Sequence, residues 1–222
     1  SGKTRNTIIY FVTKLLSEKN KTLDIVRATL PALKATVLQD VIEVMQQLNI
    51  YDEKLHNKTE GKIKVGSSEI CYYSIDDNQK IRGRKRDYLF VNEANEIDYN
   101  IWVQLLLRTT GQIVCDYNPS INDDHYLLSD VKQREDCQFL ITTYKDNPFL
   151  PDTLKKEIER LQTTDVNLWK IYGLGQVATI KGLVFPNFTI VNQIPDGDYF
   201  YGQDFGYTND PTTLVRCLIQ GE

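Results

Sequence analysis

The chain has 222 residues, a net charge of −4, and 41% hydrophobic and 25% charged residues, which is an ordinary globular composition. No stretch approaches the roughly 18 consecutive apolar residues of a membrane helix, so we expect no membrane association. The negative charge excludes a surface that is basic all round, and the residue spacing argues against zinc sites and disulfide frameworks. We expect the cysteines in the core and the histidines at the surface; these residues are Cys71, Cys115, Cys137, Cys217, His56 and His125.

Hydrophobic spacing predicts helices that alternate with short apolar strands along most of the chain. Pro31 falls in the first turn of the second helix, and Gly111 ends the third. In chain order, the pattern predicts a helix at 3–19, a strand at 22–28, a helix at 31–50, a hairpin at 61–75, a strand at 88–91, a helix at 98–110, strands at 113–115 and 136–144, and helices at 152–161 and 164–172.

Alternating strands and helices predict an α/β fold with a mostly parallel central sheet. Residues 181–195 contain two prolines and weak periodicity, so we interpret them as a linker. Residues 196–222 then predict two strands, which are too few to fold alone. We therefore expect a first domain at 1–180 and the beginning of a second at 196–222, in a chain that is truncated at both ends.

The chain opens with SGKT, the last four residues of the phosphate-binding signature G-x-x-x-x-G-K-[ST]. A predicted helix follows at once, and the free N–H groups at a helix N-terminus attract phosphate. In this role Gly2 lets the backbone approach, Lys3 reaches the β- and γ-phosphates of ATP, and Thr4 gives its hydroxyl to Mg²⁺. The strand and first glycine of the signature would precede residue 1, so a chance tetrapeptide stays an alternative.

The predicted strand at 88–91 ends in Asn92 and Glu93. In ATPases that hydrolyse ATP by attack of water, the first residue after this strand holds Mg²⁺ through water. The second, a glutamate, deprotonates the attacking water, and Glu93 fits this role. Asn92 stands where an aspartate is expected; its amide oxygen can accept from a metal-bound water but brings no charge, so we expect weaker Mg²⁺ binding. The alternative is that both residues only cap a turn.

The next predicted strand ends in residues 116–118, followed by Pro119. If the two strands are neighbours, this tip lies beside the γ-phosphate of a bound nucleotide. A polar side chain there can sense the γ-phosphate, and Asn118 is the candidate. An ordinary Asn-Pro turn explains the same residues equally well.

Hydrolysis builds negative charge on the γ-phosphate, which an arginine from the same or a neighbouring subunit commonly stabilises. The basic stretch KIRGRKR, residues 80–86, contains the candidates Arg82 and Arg84, and Arg27 ends an earlier strand. We favour Arg82 as a finger donated to a neighbouring subunit. A solvated loop is the alternative interpretation of this stretch.

Six segments together resemble the large terminase subunit of tailed bacteriophages in order and spacing. The segment TTYKDNPFLP, with a helix after it, is especially specific, and the set covers most of the chain. The other segments are SGKT, DIVRATLPALKATV, IRGRKRDYLFVNEANEI, CDYNPS and YGQDFGYTNDPTTLV.

The resemblance implies a P-loop NTPase domain of the RecA-like, additional-strand type, followed by the first strands of an RNase H-like nuclease domain. It places the Walker A loop at the start of the chain and the Walker B tip after the strand at 88–91. The residues concerned are Ser1, Gly2, Lys3 and Thr4 (Walker A), Asn92 and Glu93 (Walker B), Asn118 (coupling motif), and Asp204 and Asp210 (nuclease metal site).

By the same resemblance, the whole protein is an ATP-driven motor that moves viral double-stranded DNA through a portal protein into the procapsid, in the host cytoplasm. A small terminase subunit is its partner, a homo-oligomeric ring its working form, and ATP with Mg²⁺ its cofactor. Its nuclease uses Mg²⁺ or Mn²⁺ to cut concatemeric DNA. Two-metal nucleases need several carboxylates, so we expect no DNA cleavage by this chain.

Two rival functions stay open at this point. A helicase-like P-loop ATPase would lack the nuclease start QDFG, which is present. A nucleotide-binding assembly module without turnover is favoured by Asn92, since the expected aspartate is missing there.

Overall fold

The computed structural model describes residues 2–178, 196–204 and 213–218. The chain divides into two compact units, residues 1–180 and residues 181–222. The first unit alternates helices and strands. Its elements are α1 (Lys3–Ser17), β1 (Thr22–Arg27), α2 (Leu30–Ala35), α3 (Val37–Gln47), β2 (His56–Asn57), β3 (Lys62–Val65), β4 (Ser68–Ser74), α4 (Asn78–Gly83), β5 (Tyr88–Val91), α5 (Tyr99–Leu106), β6 (Ile113–Cys115), α6 (Tyr126–Ser129), α7 (Asp152–Thr164) and α8 (Val166–Leu168).

A six-stranded sheet forms the centre of the first unit, in the order β2-β3-β4-β1-β5-β6. β1 pairs in parallel with β4 and β5, and β5 pairs in parallel with β6. β2, β3 and β4 form an antiparallel meander at the other side. The predicted α/β class with a mostly parallel sheet is confirmed. The carboxyl ends of four strands therefore share one edge, where α/β sheets bind ligands.

Apolar helices cover both faces of the sheet, as a parallel sheet requires. On one face, α1, α2 and α3 pack against β1 and β5 through side chains that include Phe11, Met45 and Phe90. On the other face, α4, α5 and α6 pack against the same strands. Leu89 and Val91 of β5 point to this second face. Strand β5 is thus packed on both faces, and this packing positions the residues that follow it.

Two of the predicted elements are wrong. The helix expected at 31–50 is divided into α2 and α3 at Thr36, whose φ of −125° and ψ of −83° are not helical. Residues 136–144 are described throughout and do not form the expected strand, although Tyr144–Asp146 form one 3₁₀ turn. A groove of about 760 Å³ lies between this segment and β6. The segment therefore has no neighbouring strand, among the described residues, to pair with.

The expected positions of the histidines and cysteines also need correction. His56 is buried, at 7% exposure, rather than on the surface. Only Cys71 is a core residue, because Cys115 and Cys137 are half-buried and Cys217 is exposed. All four thiols are free.

The second unit contains two antiparallel strands, β7 (Tyr199–Asp204) and β8 (Thr213–Leu218). They run side by side from Tyr199–Leu218 to Asp204–Thr213. The predicted linker, residues 181–195, lies outside the described residues. Among the described residues, no helix combines the length and the apolar character needed to cross a bilayer.

Candidate functional site

The sheet's carboxyl edge brings together the residues that follow β5, those that follow β6, and the first turn of α1. The backbone ties the two strand tips to each other. Asp116 N donates to Val91 O at 3.0 Å, and Ala94 N donates to Asp116 O at 2.9 Å. These bonds extend the β5–β6 pairing past the last strand residue, so the side chains of the two tips are held at fixed spacing.

Gly2 turns the chain into α1. Its φ of 73° lies in the left-handed region, which glycine adopts without strain. Helix α1 then starts at Lys3, and Asn6 N donates to Gly2 O at 3.1 Å. In the described part of the chain, no side chain caps this helix N-terminus. Its backbone N–H groups and the helix dipole therefore favour an anion at this point.

The side chain of Lys3 lies against the tip of β6. Its Nζ donates to Tyr117 O at 2.6 Å and reaches Asn118 Oδ1 at 3.5 Å. The ammonium of Lys3 thus stands at the carboxyl edge of the sheet, beside the residues that follow β6.

Asn92, Thr4 and Asp116 form a compact polar cluster behind Lys3. Thr4 Oγ1 donates to Asp116 Oδ2 at 2.8 Å, and Asn92 Nδ2 donates to Asp116 Oδ1 at 2.8 Å. Asn92 is 3% exposed, and its Oδ1 has no hydrogen-bond partner among the described residues. An unsatisfied buried acceptor is costly and therefore marks a place where a ligand or water fits.

Glu93 has an unusual backbone, with φ 51° and ψ 57° in the left-handed region. Its carboxylate accepts from Asn118 Nδ2 at 3.3 Å and 3.4 Å. Burial raises the pKa of Glu93 above its ordinary value, the charge of Asp116 raises it further, and Lys3 lowers it. Strain of this kind, about 1–3 kcal/mol, persists where surrounding structure enforces it, commonly at functional sites. Glu93 is thus a strained, half-buried carboxylate with increased proton affinity.

The structure does not bring Arg82 to this edge. Arg82 is exposed on α4, and its carbonyl accepts a hydrogen bond from Arg108 Nε. Arg108 lies near the start of β5, since its carbonyl accepts from Arg86 N at 3.0 Å. Arg82 therefore lies toward the amino ends of the strands, opposite the edge where Glu93 stands.

The other two arginine candidates differ from each other. Arg84 is held by carboxylates, with its Nε 3.5 Å from Asp24 Oδ1 and a hydrogen bond to Glu69. Arg27 ends β1 and lies close enough to Glu93 to lower its pKa. Its Nη1 donates to Thr36 Oγ1 at 2.9 Å. Arg27 is therefore the candidate that shares the carboxyl edge with Glu93.

For three predicted site residues the structure describes no side-chain position. Ser1 and Asp210 lie outside the described residues, and Asp204 is described only as the last residue of β7. Within the described parts of the chain, no group of three or more His, Cys, Asp or Glu side chains could hold a metal ion.

Sequence reasoning passes over Asp116. It belongs to the predicted strand tip at 116–118, but asparagine before proline is the more distinctive pattern and favours Asn118. The only feature of the sequence that could have indicated Asp116 is its position as a carboxylate directly after a predicted buried strand. Its hydrogen bonds to Thr4 and Asn92 depend on the side-chain directions of three separate segments, which no spacing rule supplies.

Comparisons with known proteins agree with this fold. The large terminase from a thermophilic bacteriophage superimposes with a TM-score of 0.70 at 18% identity, over 97% of this chain and 56% of that chain. The same terminase in complex with ADP gives a TM-score of 0.69 at 19% identity, with the same coverage. The chain thus has an α/β fold similar to that of a large terminase.

Sequence comparison identifies the family. The family model described as phage terminase large subunit matches residues 1–176, and this chain belongs to that family. The PBSX phage terminase large subunit of Bacillus subtilis (strain 168) is 20% identical over 258 residues, covering 100% of this chain and 59% of that protein. The chain therefore spans little more than half the length of these relatives.

Proposed function

We propose that residues 1–180 form the ATP-hydrolysing motor domain of a phage large terminase subunit. One observation carries the proposal: the ammonium of Lys3 and the carboxylate of Glu93 both contact Asn118 at the carboxyl edge of the sheet. A triphosphate bound at the N-terminus of α1 would thereby have a cation and a general base within reach of the same phosphate. Relatives of this fold were solved in complex with ADP and with ATP-gamma-S, which supports a nucleotide as the ligand.

The triphosphate would be bound by the first turn of α1. Gly2 allows the close backbone turn, the N–H groups of α1 face the phosphates, and Lys3 moves from its β6 partners to the phosphate oxygens. Ser1 would contribute as part of the same loop.

The residues present fit Mg²⁺, which prefers oxygen ligands and keeps several waters. The Thr4 hydroxyl would bind the ion, and the unpaired buried Oδ1 of Asn92 would accept from one of its waters. When bound, Mg²⁺ neutralises charge on the phosphates during transfer to water.

Glu93 would act as the general base. Its raised pKa gives it the proton affinity to accept a proton from the attacking water, and Asn118 holds its carboxylate in position. Because Asn118 also contacts Lys3, it would register whether the γ-phosphate is present. Arg82, on the far side of the unit, would act only on the site of a neighbouring subunit.

Replacing Glu93 tests this assignment. In the whole protein, Glu93→Gln keeps the size and the hydrogen bond with Asn118 but removes the base. We expect kcat for ATP hydrolysis to fall at least about 100-fold while ATP affinity stays within a few-fold. Glu135→Gln, on an exposed turn, is the matched control. Unchanged turnover in Glu93→Gln would favour a nucleotide-binding module without hydrolysis.

We further propose that the whole protein translocates viral double-stranded DNA into the procapsid and cuts concatemers. Membership of the terminase family supports this activity, with a portal protein, a small terminase subunit and a homo-oligomeric ring as partners in the host cytoplasm. In this proposal the second unit begins an RNase H-like nuclease, with Asp204 at the end of β7 as its first metal ligand. Asp210 belongs to the same motif, and Mg²⁺ or Mn²⁺ would be the metal.

A further inference from the structure

Asp116 is the most highly connected side chain at the carboxyl edge, although no expectation from the sequence singles it out. Its carboxylate accepts three hydrogen bonds within the described part of the chain. Oδ2 accepts from Thr4 Oγ1 at 2.8 Å, and Oδ1 accepts from Asn92 Nδ2 at 2.8 Å and from Glu93 N at 2.9 Å. Asp116 is only 6% exposed. It therefore links the phosphate-binding helix to both residues of the β5 tip.

The number of donors among the described residues leaves Asp116 one acceptor position. An ionised carboxylate offers about four lone-pair sites, two on each oxygen. Oδ1 uses both of its sites, whereas Oδ2 uses one, on the Thr4 hydroxyl. The remaining site therefore belongs to the oxygen nearest Thr4, the residue that the proposed function assigns to Mg²⁺.

The charge of Asp116 also explains why residue 92 is an asparagine. A carboxylate can only accept hydrogen bonds, so Asn92 must present its Nδ2 to Asp116 and turn its Oδ1 away. An aspartate at 92 would place two carboxylates at hydrogen-bond distance, where their like charges repel. The buried site thus accommodates one negative charge, and in this chain the tip of β6 carries it.

We propose that Asp116, rather than residue 92, supplies the carboxylate that accepts from a Mg²⁺-bound water next to Thr4. This inference rests on the proposed nucleotide site. Asn92 keeps its proposed contact to a metal-bound water through Oδ1, and its Nδ2 also fixes the orientation of Asp116. The negative charge that is missing after β5 is thus supplied by the neighbouring strand.

Exchanging the two side chains tests the proposal in the full chain. The measurement is the dissociation constant of a fluorescent ADP analogue, in Mg²⁺ and in EDTA, for four proteins: wild type, Asp116→Asn, Asn92→Asp with Asp116→Asn, and the control Glu135→Gln. We expect Asp116→Asn to lose about 10–100-fold of the Mg²⁺-dependent gain in affinity and to keep its affinity in EDTA. The double variant should restore most of that gain, because positions 92 and 116 then again hold one carboxylate and one amide.

Each contrary outcome has a distinct meaning. If wild type binds no ADP analogue under either condition, the proposed nucleotide site itself fails. If Asp116→Asn keeps the full Mg²⁺-dependent gain, or loses affinity equally in Mg²⁺ and EDTA, nucleotide binding stands but Asp116 has no part in holding the metal. Should Asp116→Asn not fold, Mn²⁺ with ADP can be added to wild type. Broadening of the ¹³Cγ signal of Asp116 is then the expected result, and an unbroadened signal overturns the proposal.

Discussion

His56 links two tyrosines inside the first unit. Tyr51 Oη lies 2.8 Å from its Nδ1, and Tyr72 Oη lies 2.8 Å from its Nε2. A neutral imidazole has one donor and one acceptor nitrogen, so one tyrosine donates to the ring and the other accepts from it. Burial lowers the pKa of His56 below its ordinary value of 6.5; Lys58 lowers it further and Glu53 opposes the shift. Protonation of the ring therefore disfavours the folded state.

We expect the free energy of unfolding to decline as pH falls below about 6.5, because the unfolded chain then binds a proton that folded His56 takes up less readily. At higher pH the ring is neutral in both states and contributes no slope. In His56→Gln this part of the acid-side decline should disappear, since glutamine does not titrate. Urea unfolding at several pH values measures the slope.

The other histidine provides the control for this experiment. His125→Gln removes a histidine that stands outside the Tyr51–Tyr72 network, so it separates the effect of His56 from that of losing any imidazole. An unchanged slope in His56→Gln would show that another group causes the acid-side loss of stability.

At the candidate functional site, the sequence could predict which residues meet but not which hydrogen bonds they form. Lys3, Glu93 and Asn118 each sit next to a predicted element end, and parallel strands bring such ends together. The side chains of these three residues do lie in contact. The ends of the predicted elements do not suffice to predict the role of Asp116. That role depends on the directions of the side chains of Thr4 and Asn92.

Strands β1, β4 and β5 are joined through one buried charged cluster. Arg86 Nε, just before β5, lies 3.1 Å from Asp24 Oδ2 of β1, and neither side chain is exposed. Tyr73 of β4 donates to the same oxygen at 2.7 Å. Burial raises the pKa of the Asp24 carboxyl, and Arg86 and Tyr73 oppose the shift. Removing the Asp24 charge leaves Arg86 buried without a carboxylate among the described residues, whereas Asp24 also lies 3.5 Å from Arg84 Nε.

Asp24→Asn should therefore destabilise the chain by about 3–5 kcal/mol, measured by urea unfolding. The double variant Asp24→Leu with Arg86→Met should lose less, because no unpaired charge stays in the interior. The exposed pair Glu157–Arg160, at 3.1 Å, is the comparison. Glu157→Gln should cost at most about 1 kcal/mol. A double variant that is less stable than Asp24→Asn would mean that the charges themselves stabilise the sheet.

At the level of elements, apolar runs predicted β5 and the edge strand β6 to the residue, since both begin and end where the polar residues stand. The same reasoning failed for residues 136–144. A strand forms only when a neighbouring strand satisfies its backbone hydrogen-bonding groups. The groove beside β6 separates residues 136–144 from β6, the strand that could do so. The sequence also showed no sign of the helix break at Thr36, because the helical spacing of hydrophobic residues continues across it from Leu33 to Val37.

Across the whole first unit, the position of Arg82 limits how it can act. Glu93 stands at the carboxyl edge of the sheet, and Arg82 lies exposed toward the amino ends of the strands. In this conformation a subunit therefore does not present Arg82 to its own Glu93. In an assembly, the same exposed position is available to a neighbour.

We expect Arg82→Glu to lower ATP turnover about 10³-fold in assemblies, the loss typical of a missing arginine finger. Lys85→Glu makes the same charge reversal at an exposed position in the same basic stretch and should have little effect. Turnover is measured over a dilution series that passes from assembled to monomeric protein. In dilute monomer, Arg82→Glu and wild type should show equal turnover, because neither receives an arginine.

Mixed assemblies give a sharper test of donation between subunits. In the proposed mechanism, subunits with Glu93→Gln lack the base but still offer Arg82, whereas subunits with Arg82→Glu have the base but offer no finger. Each variant alone should be inactive, yet a mixture should regain turnover, since an Arg82→Glu site beside a Glu93→Gln subunit has both groups. No recovery in the mixture, or an equal loss by Arg82→Glu in monomer and assembly, would assign the stimulating arginine elsewhere. Arg27, which lowers the pKa of Glu93 within the same subunit, would then be the preferred candidate for the stimulating arginine.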